Sequence, residues 1–181
     1  FNTTGSHNTA LGRDALQNNT TADRNTAVGY QSMVDNSTGS QNIAMGYQAM
    51  ENNSTASNNS ALGYISLYYN TTGASNTAVG SSAMFDNTTG SNNVALGVTA
   101  LANNTTASYN VAVGYRALED NTTGQENVTV GAESLIQNTT GSSLTSVGSY
   151  ALYNNTTASD NTAVGYQAAF SNTTGGQNTA L

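Results

Sequence analysis

The sequence predicts an all-β fold, a parallel β-solenoid or β-roll of 17-residue coils, and three observations carry that prediction. Glycine recurs at Gly12, Gly29, Gly46, Gly63, Gly80, Gly97, Gly114, Gly131, Gly148 and Gly165, each 17 residues after the last, with no insertion. Asparagine keeps the same period at Asn2, Asn19, Asn36, Asn53, Asn70, Asn87, Asn104, Asn121, Asn138, Asn155 and Asn172, and a threonine follows two residues later every time, from Thr4 to Thr174. Between the two columns runs a short segment such as Asn25-Thr26-Ala27-Val28-Gly29, with β-branched residues at alternate positions. A fixed period marks a repeat architecture whose unit cannot bury its apolar face alone and gains stability by stacking. Seventeen residues are too few for the helical repeats and fall below the leucine-rich repeat, which leaves a β-coil.

The consensus NTTGSxNTAVGYQALxN assigns the elements in order. Alternation in the strand places Thr26 with Val28, and Val111 with Val113, on one face, and Ala27 and Ala112 on the other. In this reading the valines turn inward, and the small alanines let another surface approach closely. A second apolar column, Leu16, Met33, Met50, Leu67, Met84, Leu101, Leu118, Leu135 and Leu152, suggests a short second strand, with one helical turn over YQAL as the alternative. The Asn-Thr-Thr-Gly and Gly-Tyr-Gln segments are the corners, since Gly and Asn tolerate positive φ. The residue after Thr4 alternates Gly5, Ala22, Gly39, Ala56, Gly73 and then breaks step at Gly90, the trace of a 34-residue duplication. Residues 1–181 form one repeat array of about 10.6 repeats, read as a fragment of a longer chain because it starts and stops inside a repeat. Identical coils about 4.8 Å apart put like above like, so buried Asn amides bond along a ladder and the rod is on the order of 50 Å long.

Composition narrows the function classes. Ten acidic residues against three arginines give −7, which opposes phosphate neutralisation and hence nucleic-acid binding. Arg13, Arg24 and Arg116 form no basic run. Without cysteine there is neither disulfide stapling nor a thiolate metal site, and no stretch has the roughly 18 apolar residues of a membrane span. Two large apolar residues per coil make a thin core for one chain. The aromatic columns Tyr30, Tyr47, Tyr64, Tyr115, Tyr166 and Tyr68, Phe85, Ile136, Tyr153, Phe170 therefore point to copies of the chain burying them in a homo-oligomer or filament; the alternative is an exposed aromatic rim.

The residues for chemistry are sparse, and neither a catalytic constellation nor a cofactor is expected. His7, the one histidine, sits in a variable polar column with Arg24, Gln41, Asn58, Asn92, Tyr109, Glu126 and Asp160, which reads as solvent-facing. Seven more acidic residues scatter over three other columns: Asp14 and Glu133; Asp35, Asp86 and Asp120; Glu51 and Glu119. The fixed Asp of calcium-binding β-rolls is absent, and Glu119-Asp120 reads as a solvated pair before it reads as a cation site. Each Asn of the NTT or NST corner, Asn2 to Asn172 above, meets the N-x-[ST] acceptor pattern, which would give a glycan row along one edge; a β-turn ladder selects the same residues. Ice binding through flat threonine arrays is not favoured, because adjacent threonines such as Thr20 and Thr21 point to opposite faces. Solenoid enzymes interrupt their repeat with loops that carry carboxylates, and this repeat has no insertion.

The residues NTAVGYQAL resemble the SVAIGxxAxA motif of trimeric autotransporter adhesin heads, and NTTGxxNTAVGYQAL arrays are similar to those of phage tail fibres and bacterial surface proteins. The resemblance covers the whole chain. It implies a left-handed coil and a three-chain, trimeric bundle, while the 17-residue length and the NTT corner depart from the adhesin motif. The expected function is an extracellular structural or adhesive fibre module at a cell or virion surface, without catalysis or membrane insertion, meeting a cell-surface receptor or glycan. The alternative is a self-assembling extracellular filament with N-glycans on the NTT asparagines.

Overall fold

The computed structural model describes residues 2–181. Each coil contributes one short strand: β1 Thr9–Leu11, β2 Thr26–Val28, β3 Ile43–Met45, β4 Ser60–Leu62, β5 Thr77–Val79, β6 Val94–Leu96, β7 Val111–Val113, β8 Val128–Val130, β9 Thr145–Val147, β10 Thr162–Val164 and β11 Thr179–Ala180. They form one parallel sheet in chain order, each strand hydrogen-bonded to its sequence neighbours. Thr26 pairs with Ile43, Ala27 with Ala44 and Val28 with Met45, a shift of one repeat, and every junction keeps that register. The chain is an all-β parallel solenoid with 17-residue coils. Coils are numbered here with their strands, coil 1 starting at Asn2 and coil 11 at Asn172.

Two expectations are corrected. No second strand forms at the Leu and Met column. The residues after Gly29 keep bonding from coil to coil, since Gln31 N–H donates to the Arg13 carbonyl at 2.9 Å and Met33 N–H to the Ala49 carbonyl at 3.0 Å. Their conformation is not extended, however: φ is 52° at Gln31 and 54° at Met33. Consecutive Ser32 and Met33 are both buried, which the two-residue period of a strand forbids and a left-handed kink permits. Positive φ occurs at the expected Gly-Tyr-Gln corner, at Gly29 and Gln31, but not in the Asn-Thr-Thr-Gly corner, and two further non-glycine positions per coil adopt it, as at Arg24 and Met33.

The second correction concerns which strand face is inside. Ala27 is fully buried, whereas Thr26 and Val28 face outward and are half-buried. The interior is built from the alanine column, the Met33 and Leu67 type column with its preceding Ala or Ser, and two columns of asparagine. A 17-residue coil is narrow. With a Leu or Met reaching across it, the strand's inward slot holds only a methyl group, and the branched residues are left outside.

Glycine closes each strand for two reasons. Its φ lies between 130° and 147° throughout the column, a region unfavourable to L side chains. A Cβ on Gly97 would also lie 2.2 Å from the carbonyl oxygen of Gly114 in the next coil.

Candidate functional site

The outward strand face is an unpartnered apolar surface that runs the length of the sheet. One column runs Leu11, Val28, Met45, Leu62, Val79, Leu96, Val113, Val130, Val147, Val164, Leu181 and is aliphatic in every coil. Two residues upstream runs Thr9, Thr26, Ile43, Ser60, Thr77, Val94, Val111, Val128, Thr145, Thr162, Thr179, mostly β-branched. Neither column holds a charge. Met45, Val130 and Val164 remain 40–44 % exposed although they are flanked by other strands. The neighbouring exposed column at His7, Arg24 and Gln41 drifts through eight residue types, so shared ancestry of the repeats does not account for the aliphatic one.

The aromatic columns are partly stacked within the chain. Tyr30 stacks on Tyr47 at 5.2 Å and Tyr47 on Tyr64 at 5.4 Å between ring centroids. Tyr68 stacks on Phe85 and Tyr153 on Phe170, and Ile136 is buried. Tyr47, Tyr64, Tyr115 and Tyr166 stay exposed all the same. The strand face is a second exposed apolar surface beside the tyrosine column, and sequence reasoning missed it by turning the valines inward.

The corner asparagines are buried. Asn87 Nδ2 donates to Asn70 Oδ1 at 2.8 Å and to the Gly90 carbonyl at 3.0 Å, and Asn87 Oδ1 accepts from Asn104 Nδ2 at 2.8 Å. Both amide hydrogens are used, and Asn19 through Asn155 repeat the arrangement with no exposed surface. Only Asn2 is exposed and Asn172 part-exposed. The expected glycan row is thus at odds with the folded chain, whose acceptor nitrogens lie inside. A second ladder runs through Asn25, whose Nδ2 donates to the Gly39 carbonyl at 2.8 Å while its Oδ1 accepts the Asn42 N–H at 2.9 Å. Adjacent threonines diverge as expected: the Thr88 hydroxyl donates to the Thr105 carbonyl at 2.9 Å, and Thr89 is exposed.

The charged residues converge on no reactive centre. His7 is exposed, with Nδ1 3.0 Å from Ser6 Oγ. Glu119 pairs with Arg116, Asp120 accepts from Asn103 Nδ2 at 3.0 Å, and Asp14 pairs with Arg13 at 3.3 Å. Among the described residues there is no group of three metal-ligating side chains and no pocket. Asp23 accepts the Ser6 N–H at 2.6 Å, and this bond with the Ser6 hydroxyl holds its carboxyl below the usual value. Burial pushes Glu51 and Asp86 the other way, and Glu51 Oε2 has no hydrogen-bond partner.

That shift has a sign. A carboxyl whose folded value is raised favours the fold below its unfolded value, 3.8 for Asp86, and the benefit is lost as pH rises through the folded value. Asp86→Asn is expected to raise the thermal midpoint at about pH 7 and leave it nearly unchanged at about pH 3, as followed by circular dichroism.

Comparison with known protein families, with curated proteins and with solved structures finds no match.

Proposed function

We propose that the chain is a non-catalytic module of an extracellular fibre, of the surface-adhesin or tail-fibre kind, and that it assembles with parallel copies of itself through the strand face. The observation that carries this reading is the outward column from Leu11 to Leu181, aliphatic in all eleven coils and uncovered. Coils spaced by about 4.8 Å and a strand with flanks about 14 Å wide give a face on the order of 700 Å². That exceeds the few hundred Å² an isolated soluble chain usually exposes and approaches the roughly 800 Å² per partner of a stable interface. Parallel copies match because both present the same spacing. Three chains are the number the adhesin-head resemblance suggests. Continuous backbone bonding between coils suits such a module, since a stack with nearest-neighbour coupling gives length and stiffness. Specificity for a receptor or surface glycan falls, in this reading, to the variable exposed column of His7, Arg24, Tyr109, Glu126 and Asp160.

Val113→Glu tests the proposal, because it adds charge to the outward face without entering the core. Sedimentation of the unaltered chain is expected to show two or more copies, and Val113→Glu a single copy with the same circular dichroism. A single copy of the unaltered chain at high concentration would overturn the reading.

A further inference from the structure

The second asparagine ladder has one gap. Ten coils carry Asn at that position, and coil 9 carries Leu144. Elsewhere this asparagine does two things for the next coil: Asn110 Nδ2 donates to the Gly124 carbonyl at 2.9 Å, and its Oδ1 accepts the Asn127 N–H at 3.0 Å. Leu144 receives the ladder from below, its own N–H donating to Asn127 Oδ1 at 3.0 Å, but passes nothing on. The backbone N–H of Asn161, a residue only 1 % exposed, is left with no acceptor, and the Ala158 carbonyl loses one of its two amide donors.

The inner strand position departs from pattern in the same place. It is Ala in every coil except 8 and 9, which carry Thr129 and Ser146. Thr129 Oγ1 is buried without a partner. Ser146 Oγ donates to the Ala151 carbonyl at 2.9 Å and lies 2.7 Å from Ser134 Oγ, so a small polar cluster replaces the apolar column of the other coils. Buried groups without partners oppose folding, and in a stack coupled only between neighbours such a penalty stays where it arises.

We infer that the rod contains a built-in opening point at the junction of coils 9 and 10, where Leu144 interrupts the ladder. The stack opens there before it opens in coils 2 to 7, dividing it into a long N-terminal block and a short C-terminal one. This inference is independent of how copies of the chain associate.

Native-state hydrogen exchange on the whole chain tests it, with two variants. In the unaltered chain the amides of residues 145–165 exchange faster than those of residues 17–37, which lie equally far from the other end of the stack. Leu144→Asn restores the missing donor and acceptor and slows exchange over residues 145–165 by roughly tenfold or more. Asn42→Leu creates the converse, faster exchange in coils 3 and 4. If Asn42→Leu does not fold, Leu144→Asn decides alone. Exchange over residues 145–165 that is unchanged or faster in Leu144→Asn would overturn the inference.

Discussion

Replacing Gly97 by alanine is expected to cost about 4 kcal/mol or more, enough to consume much of the stability of a domain this size. Two penalties combine there. The backbone sits at φ 144°, and the added Cβ lies 2.2 Å from the Gly114 carbonyl oxygen of the next coil, which accepts the Ala117 N–H in the turn of that coil and belongs to a backbone fixed by the Gly114 N–H bond to the Leu96 carbonyl. Gly165→Ala separates the two. Its φ is 130°, but the nearest atoms to the added Cβ are 3.9 Å away. Only conformational strain applies, and a loss of about 1–2 kcal/mol is expected. Urea unfolding of both variants measures the difference, and equal losses would show that the close approach of successive coils has been misassigned.

The next largest effect is expected at the corner ladder. Asn87→Ala removes two donated bonds and takes one of the two acceptors of Asn104 Nδ2, in a column with no access to solvent. Leaving buried amides short of a partner on both sides and opening a cavity should cost about 3–5 kcal/mol. Asn172→Ala, at a part-exposed position, should cost under about 1 kcal/mol, because water replaces the lost partners. Both are read from the urea midpoint at constant slope.

Much of the architecture was legible because one chain supplies eleven versions of the same coil. The glycine and asparagine periods gave the coil length, and the Thr26-Ala27-Val28 alternation gave the strand. Alternation alone does not say which face is buried; that depends on the width of the coil. The internal comparison held the signal: the position of Ala27 accepts only Ala, Ser or Thr, as a tight interior slot must, while that of Val28 passes among Val, Leu and Met. The left-handed residues at Gln31 and Met33 were not legible, since neither side chain prefers positive φ and the ladder imposes it. The sequon pattern was ambiguous for a plain reason. Asn followed two residues later by Thr satisfies both an acceptor motif and a buried amide ladder, and burial alone distinguishes them.

Cysteine accessibility at two neighbouring residues tests the central claim most directly, in a chain with no cysteine of its own. Ala112 and Val113 are adjacent in β7, one inside the coil and one on the proposed association face. Alkylation of Ala112→Cys is expected to be slow under all native conditions. Val113→Cys is expected to be protected in the assembled chain and to react rapidly once Leu96→Glu, one coil away on the same column, separates the copies. Rapid modification of Ala112→Cys, or a Val113→Cys reaction rate that Leu96→Glu does not change, would contradict the account.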